Sequence, residues 1–547
     1  MRRKAPLVPM LALAVGLLLV WAYAWVLDDA FVYFRYADNA ALLHAGLVFN
    51  QGEHVEGFTS PLWMLLWVAV RALGFRHWPV LLALGWGSLA ATWALAIFVN
   101  RRLSGSAVGE FHLPALFVAG AYAVLSHFTS GLETPFVQVV ALAFAALVLA
   151  PRSRLLAVAV GLGPLVRPEL NLAVLIGSLW CLRQNRAFPW WLVGTALGGE
   201  GAWLAFRVYY YSDLFPNTFY LKDAPSALRG FRYLHDTLRA HYLYEILGAG
   251  LAGLAFLRRF RPEVPLLGRP RAVLFACALL HAAYVVRIGG DFVHYRYLAF
   301  PVLVAVAALG GVVERILEAT VPSRRFTGSV LGVPFFAALV CSYPRVLLPS
   351  HPLFLRPAGD SLKLYRVNGI EDAASHRHRF DIATRVWDRR PADVTVELQG
   401  GKLSYQGAFA AGWCLAAYDH PNWFVVQSFG LTDPVMAHLA SPPSGQAGHR
   451  WAIEPLARDL ALARTRLVVT PGLDDDPAHP YRVAAKHGWA APWILRNLDA
   501  IDVITERTEG PRGFGLATRR IARGWPEMVV GPKDVVAVTN PIRIPPR

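Results

Sequence analysis

"VLDDAFVYFRYADNAALLHAGLVFNQGEHVEGFTSPLW" (residues 26–63) follows directly on an apolar run that begins near residue 7. Two adjacent carboxylates, Asp28 and Asp29, stand where this run ends, and a loop rich in aromatic residues, Gly and Glu follows them. A run of about twenty apolar residues is long enough to cross a bilayer. Its basic start, without a small-residue cleavage site, favours an uncleaved anchor over a signal peptide. The sequence therefore predicts paired negative charges at the edge of a membrane.

The composition indicates a polytopic membrane protein. Of the 547 residues, 55% are hydrophobic and only 16% are charged, whereas about a quarter of the residues of a soluble protein are charged. The net charge of +16 is expected from Arg in cytoplasmic loops and at the level of the lipid headgroups. No basic stripe with interleaved aromatic residues marks a nucleic-acid surface, so we expect a membrane protein that does not bind nucleic acid.

Eleven apolar segments are long enough, or nearly long enough, to span a bilayer. They lie at about 7–27, 79–99, 113–128, 134–150, 155–166, 170–182, 188–206, 241–257, 272–288, 298–313 and 328–347. A twelfth run, 60–70, is too short to cross, and its Trp63 and Trp67 suit a helix lying in the membrane interface. The segments 155–166 and 170–182 are also short, and a re-entrant hairpin is the alternative for this pair.

The basic clusters fix the orientation of these segments. With 60–70 left outside the count, all the clusters fall on one side, which the positive-inside rule makes the cytoplasm. The clusters are Arg2/Arg3/Lys4, Arg101/Arg102, Arg152/Arg154, Arg183/Arg186, Arg258/Arg259/Arg261 and Arg324/Arg325. We therefore predict a multi-pass membrane protein with a cytoplasmic N-terminus and an extracytoplasmic C-terminal domain.

The hydropathy pattern divides the chain into two predicted domains. Residues 1–347 form the predicted membrane domain, and its first extracytoplasmic loop, with interfacial helices, covers 28–78. Residues 348–547 alternate polar and apolar residues, as in "DVTVELQGGKLSYQG" (393–407), and contain no spanning run. This pattern predicts an extracytoplasmic globular domain that is α/β or β-rich, and about two hundred residues are enough for an independent core.

Polar residues of the membrane domain gather in five loops on the predicted outer side, whereas the cytoplasmic loops hold mostly Arg, Pro and Ser. The outer residues are Asp28, Asp29, His54, Glu56, Glu133, Arg167, Glu169, Asn217, Lys222, Asp291, His294 and Arg296. A carboxylate acts as a general base on a sugar hydroxyl, and Arg, Lys and His hold a phosphate leaving group. Aromatic and amide side chains line carbohydrate sites. The loops therefore predict one site for glycosyl transfer from a lipid-linked sugar phosphate.

The motifs also resemble a known group of enzymes. The quoted first loop, "SGLETP" (130–135), "RPE" (167–169), "PNTFYLK" (216–222) and "GGDFVHYRYLAFP" (289–301) resemble the GT-C superfamily of polytopic glycosyltransferases. Within it they resemble the terminal β-(1→2)-arabinofuranosyltransferases of actinobacterial cell walls, as does "FGLTDPVMAHL" (429–439) in the tail. The resemblance implies a decaprenyl-phosphate arabinofuranose donor, an arabinan acceptor and inversion at the anomeric carbon. It also implies that the protein lies in the bacterial plasma (inner) membrane.

Each candidate residue receives a role from this interpretation. Asp29 is the predicted base, and Asp28 orients it. Arg167, Lys222, His294 and Arg296 are predicted to bind the donor phosphate. Glu133, Asn217, Asp291, Glu56 and His54 are predicted to bind substrate. A divalent metal bridging Asp28, Asp29 and the phosphate is compatible with the sequence, but no ligand spacing requires it, so the cofactor is left unknown.

Structural alternatives stay open for several of these residues. In these alternatives, one Asp of the pair only caps the helix that begins at Ala30, and Glu133 only caps the next span. Glu53 and Glu56 would be loop charges exposed to solvent. Arg167 would be an interfacial arginine whose charge reaches the headgroups.

Alternative functions also remain. A flippase for lipid-linked sugars is one, although such proteins place polar residues near the bilayer midplane and show inverted repeats. A GT-C enzyme that uses another polyprenyl-phosphate sugar, such as mannose, is the second. The third is a membrane-anchored module whose tail binds glycan.

Overall fold

The computed structural model describes residues 7–22, 24–104, 111–220, 226–260, 268–313, 315–316 and 324–341, with short parts of the tail. Those parts are 394–398, 401–405, 407–410, 414–419, 424–427, 430–434, 437 and 467–469. Lys222 and most of the predicted tail domain lie outside the described residues.

The described chain is mostly helical. The helices are α1 Leu7–Ala22, α2 Ala30–Ala41, α3 Pro61–Ala72, α4 His77–Ser104, α5 Leu113–Gly120, α6 Tyr122–Leu125, α7 Thr134–Leu149, α8 Arg154–Gly161, α9 Gly163–Val166, α10 Asn171–Asn185, α11 Trp190–Tyr211, α12 Asn217–Tyr220, α13 Ala227–Ala240, α14 Leu243–Phe260, α15 Arg269–Arg287, α16 Ala299–Ala308, α17 Arg324–Cys341 and α18 Cys414–Asp419, with 3₁₀ turns at Pro168–Leu170 and Arg296–Leu298. Each of the eleven predicted apolar segments contains a helix.

Two of these helices, α4 and α15, are long and apolar enough by themselves to cross a membrane. A third span results if α13 and α14, which meet at 79°, are counted as one broken segment. Six further apolar helical stretches among the described residues, α1, α3 and α7 among them, are only 10–17 residues long and shorter than a span. Apolar helices of this kind are consistent with a membrane protein, and the number of about eleven crossings stays a prediction.

The tail residues that the structure describes contain strands and a helix. β1 (Val394–Leu398) pairs antiparallel with β2 (Gly401–Tyr405), which pairs antiparallel with β5 (Leu467–Val469). β3 (Gly407–Ala410) and β4 (Phe424–Gln427) form a parallel pair. The alternation in "DVTVELQGGKLSYQG" therefore corresponds to two adjacent antiparallel strands, as a period of two predicts.

Two compact units interleave along the chain. The first comprises Met1–Leu27, Arg76–Glu200 and Ser226–Phe380, and the second comprises Asp28–Phe75, Gly201–Pro225 and Asp381–Arg547. The first loop therefore belongs to the same unit as the described tail, and not to the unit that holds most of the apolar helices. The predicted division at residue 347 into a membrane domain and an extracytoplasmic domain stays a prediction.

The first unit is a helix bundle. α7 packs against α4 and α16, α15 packs against α16, and α1 packs against α5. One buried apolar cluster joins α1, α5 and α14 to the residues after α16, through Val8, Leu116, Leu257 and Val312. Among the described residues of this unit, the buried charged side chains are Arg271 on α15 and Glu133, Arg167 and Asp291, which lie at or near the ends of helices.

The second unit is held together by side chains that bond to backbone. α2 packs on α3 and on α18. Asn50 donates to the carbonyl of Val425 at 3.0 Å and accepts from its N–H at 2.9 Å. Arg35, 1% exposed, donates to the carbonyls of Phe49 and Ala417. These bonds satisfy buried backbone groups that lie far apart in sequence.

The tryptophans of α3 are buried in the protein and not placed at the membrane interface, where the sequence analysis expected them. Trp63 and Trp67 are both 0% exposed, and Trp67 lies edge-to-face on Phe34 with 4.9 Å between the ring centroids. The expectation that these rings anchor a helix in the membrane interface is wrong, because they fill the core of the second unit. Leu65 and Leu73 are the exposed apolar residues of this segment.

Candidate active site

A buried network of charged residues occupies the first unit. Nη1 of Arg167 lies 2.7 Å from Oε1 of Glu133, and Nε of Arg167 bonds to Glu169. Nη2 of Arg296 lies 3.8 Å from the same Oε1 of Glu133, and its Nη1 lies 3.4 Å from Oδ2 of Asp291. Three outer loops of the sequence prediction therefore meet here, and they bring together Glu133, Arg167, Asp291 and Arg296.

Tyr297 lies against both arginines of this network. The guanidinium carbon of Arg167 is 4.2 Å from the centre of the Tyr297 ring, and that of Arg296 is 5.6 Å away. Such cation–π contacts favour a charged guanidinium. The sequence prediction did not select Tyr297, although it directly follows Arg296 in the "HYRYL" part of the motif.

The network keeps both arginines charged. Burial by itself would lower the pKa of Arg167, but Glu169, Tyr297 and Glu133 raise the pKa above its ordinary value. Burial likewise opposes the charge of Arg296, and Asp291, Glu133 and Tyr297 together raise its pKa. A guanidinium has five N–H donors, so each arginine can bond to carboxylates and to a ligand phosphate at the same time.

Two structural alternatives for these residues are wrong. Glu133 occupies the N-cap position of α7, but its side chain forms no capping hydrogen bond, because its carboxylate faces Arg167. Arg167 is 4% exposed, so its charge is neutralised inside the protein and does not reach out to headgroups.

His294 lies in the same loop as Arg296 but, unlike the two arginines, is uncharged. Burial lowers the pKa of His294 to about 4, so its imidazole is neutral at neutral pH. Nε2 of His127 lies 3.1 Å from the carbonyl oxygen of His294. A neutral imidazole provides hydrogen bonds and no positive charge, so the cations of this cluster are the two arginines.

The acidic pair lies at the start of α2 in the second unit. Asp29 is the N-cap residue of α2, but its side chain makes no capping hydrogen bond. The structure therefore excludes the alternative in which Asp29 serves as a side-chain cap of the helix. Oδ2 of Asp28 accepts from the backbone N–H of Cys414 at 2.9 Å, which holds this carboxylate in place.

A mixed set of metal-ligand atoms surrounds this pair. One ligand atom each from Asp28, Asp29 and Cys414 lies within 4.8 Å of the other two. Carboxylate oxygens suit Mg²⁺ or Mn²⁺, whereas a thiolate suits softer metals. The three donors therefore fit no single class of metal well.

Glu56 is a buried anchor of the second unit. Its carboxylate pairs with Arg207 and accepts from Nε1 of Trp203 at 2.9 Å. Burial raises the pKa of Glu56, and Arg207 opposes the shift. With Glu56 3% exposed and Glu53 8% exposed, the alternative of solvated loop charges is wrong for both. An arginine within an apolar run was the signal that could have identified Arg207.

His54 and Asn217 also lie in the second unit. The ring of His54 stacks on Tyr210 with 4.4 Å between the centroids. Nδ2 of Asn217 lies 2.8 Å from the carbonyl of Gly430, 3.0 Å from that of Leu431 and 3.1 Å from that of Asp433. Asn217 therefore binds the "LTDP" part of the tail motif, and a direct contact of Asn217 with substrate stays a prediction.

Comparison with known proteins gives two relatives with the same name. The chain is 27% identical to the terminal beta-(1->2)-arabinofuranosyltransferase of Corynebacterium glutamicum, over 87% of the chain and 80% of that protein. It is 30% identical to the protein of that name from Mycobacterium tuberculosis, over 53% of each. No family model and no solved structure matches the chain. These similarities confirm the predicted resemblance to terminal β-(1→2)-arabinofuranosyltransferases and the predicted class of enzyme, a glycosyltransferase.

Proposed function

We propose that the protein transfers arabinofuranose from a polyprenyl-phosphate donor to a cell-envelope glycan at the outer face of the bacterial plasma membrane. The names of its two relatives support the sugar. The apolar helices support a membrane-embedded donor. The one-sided distribution of basic clusters in the sequence supports an outer site, because positively charged loops stay in the cytoplasm.

The observation that carries the proposal is the shared carboxylate of Glu133. Arg167 and Arg296 come from loops far apart in sequence and lie on the same oxygen of this residue, 2.7 and 3.8 Å away. Two charged guanidinium groups that lie on one carboxylate oxygen can also donate hydrogen bonds to the same ligand. A phosphate suits them, because its oxygens accept bidentate hydrogen bonds from arginine. Charge that develops on the departing phosphate would be stabilised by the same groups.

Glu133 itself is suited to bind a hydroxyl. Glu133 is 0% exposed, and its Oε2 atom has no hydrogen-bond partner among the described residues. A buried carboxylate oxygen without a donor is costly. A sugar hydroxyl that donates to Oε2 would remove this cost, which supports the predicted role of Glu133 in substrate binding.

The proposed reaction is a single displacement. The acceptor hydroxyl oxygen attacks the anomeric carbon while the bond from that carbon to the phosphate oxygen breaks, and the bonding electrons leave with the phosphate. Asp29 takes the proton of the hydroxyl, and Asp28 orients it. Attack opposite to the leaving group inverts the anomeric centre. Two observations support these roles: the Asp29 side chain is not used as a helix cap, and Asp28 is fixed by Cys414.

A transfer assay tests the proposal. The purified full-length protein in liposomes is given decaprenyl-phosphate arabinofuranose and an arabinan acceptor, and the product is analysed for linkage. Replacement of Asp29 by Asn should lower the rate about 10²- to 10⁴-fold while donor binding is retained. Asp38→Asn is the matched control, because Asp38 lies on the same helix and pairs with Arg71 instead.

Three other outcomes would identify a different function. Movement of the donor across the bilayer without transfer would indicate a flippase. Transfer from the mannose donor but not from the arabinofuranose donor would indicate a different sugar. Binding of glycan with neither activity would indicate a recognition module.

A further inference from the structure

His294 is a buried side chain whose ring nitrogens make no hydrogen bond within the described part of the chain. It is 3% exposed, and neither Nδ1 nor Nε2 has a partner among the described residues. Buried polar groups are hydrogen-bonded in the great majority of cases, and leaving one unsatisfied costs roughly 1–3 kcal/mol. The ring therefore calls for a partner that the described residues do not supply.

The backbone around His294 is held in place without any help from the ring. Tyr295 has a φ of 68°, which a bulky residue rarely adopts and which marks a backbone constrained by its surroundings. The carbonyl of Val293 accepts from the hydroxyl of Tyr233 at 3.1 Å, and the carbonyl of His294 lies 3.1 Å from His127. The imidazole is thus presented by fixed backbone on both sides, with its two nitrogens available.

The chemistry of this ring suits a hydroxyl and not an anion. The His241 ring lies edge-on to the His294 ring, with 5.7 Å between the centroids. In a neutral imidazole one nitrogen donates and the other accepts, which matches the two capacities of a sugar hydroxyl. Arg296, two residues further on, carries the positive charge of this loop.

We propose that His294 is a sugar-binding residue, which recognises a hydroxyl of the donor's sugar while Arg167 and Arg296 bind its phosphate. This inference rests on the proposed function and divides the donor between two sets of residues. It replaces the predicted phosphate-binding role of His294 with recognition of the sugar, so His294 contributes to the choice of sugar.

The test compares two ligands that differ only in the sugar. Affinities of the full-length protein in nanodiscs are measured for decaprenyl-phosphate arabinofuranose and for decaprenyl phosphate. The variants are His294→Phe, which keeps a ring without hydrogen bonds, and His294→Gln, which keeps a donor and an acceptor. His112→Phe is the control, since His112 is a buried histidine of the same unit that is partnered, with Nδ1 3.0 Å from Asn100.

We expect His294→Phe to weaken binding of the sugar donor about 5- to 50-fold, as for one or two lost hydrogen bonds, and to leave decaprenyl phosphate unaffected. His294→Gln should recover part of the loss. Equal weakening of both ligands, or no weakening of either, would overturn the inference, because the ring would then be structural or satisfied by water. If the wild-type protein binds neither ligand, the proposed function itself fails.

Discussion

Arg167 and Glu133 form an ion pair in the interior of the first unit, with 2.7 Å between Nη1 and Oε1 and side chains that are 5% and 0% exposed. Such a pair is expensive to bury and becomes much more expensive when one partner is removed. Because Arg296 lies on the same carboxylate oxygen, the loss of Glu133 affects two buried cations. The network therefore couples the fold of three loops to the proposed donor site.

Replacement of Glu133 by Gln should destabilise the protein strongly. The change keeps the shape of the side chain but removes the charge that compensates two guanidinium groups, and we expect a loss of about 3–5 kcal/mol. Thermal unfolding in detergent measures it. The control is Glu200→Gln, whose carboxylate accepts from Asn171 at 2.7 Å near the surface and whose loss should cost less than about 1 kcal/mol. Equal unfolding temperatures for the two variants would contradict the role of the pair.

The sequence predicted the members of this network but not their pairing. Glu133, Arg167, Asp291 and Arg296 were all selected because charged residues recur in loops on one predicted side of the membrane. Which carboxylate meets which arginine depends on how α4, α7, α15 and α16 pack, and no local pattern encodes that packing. Tyr297 was missed for the same reason, because a tyrosine among apolar residues is as compatible with a hydrophobic core as with a binding site.

The helices show a similar division between what is predictable and what is not. Apolar composition located the apolar helices of the first unit but not α13 (Ala227–Ala240), whose sequence is polar on average. It did not locate the break at Leu162 between α8 and α9, where Gly163 and Pro164 interrupt the helix. It also assigned Trp63 to the membrane interface, because hydropathy cannot distinguish a lipid-facing ring from one that packs in a protein core.

Replacement of Asn217 by Asp should loosen the second unit. The amide nitrogen of Asn217 faces three carbonyl oxygens, between 2.8 and 3.1 Å away, and an aspartate of the same shape would place a negative oxygen there. We expect a loss of at least about 2 kcal/mol and faster proteolysis of the tail. The comparison is Asn185→Asp, because the amide nitrogen of Asn185 bonds to one carbonyl oxygen among the described residues, that of Pro151. The same cleavage rate for both variants would show that the contact with the tail is not structural.

Acid should destabilise the first unit through the buried His294. Burial disfavours the charged ring and lowers the pKa of His294 from the ordinary value of 6.5 to about 4. Above pH about 6.5 the ring is neutral in the folded and the unfolded chain. Between pH about 6.5 and 4 only the unfolded chain takes up the proton, so stability falls, by on the order of 3 kcal/mol.

Unfolding temperatures measured from pH 8 to pH 4 test this expectation. His294→Gln should flatten the dependence on pH, since the glutamine does not titrate. A His294→Gln slope identical to that of the wild type would contradict the expectation, because the His294 ring would then take up its proton equally in the folded and the unfolded chain.

Two glycines with similar backbone conformation allow crowding to be separated from strain. Gly290 has a φ of 70° and precedes Asp291 in the proposed donor loop, and a Cβ there would overlap the ring of Tyr233. Gly74 has a φ of 79°, but a Cβ there would meet nothing within 4 Å.

Gly74→Ala should therefore show only the strain of positive φ, about 1 kcal/mol. Gly290→Ala should lower stability by at least twice that amount and weaken donor binding, because Tyr233 holds the backbone at Val293. Thermal unfolding and donor titration of both variants check the prediction, and comparable effects of the two would mean that the contact between α13 and the loop does not position the donor site.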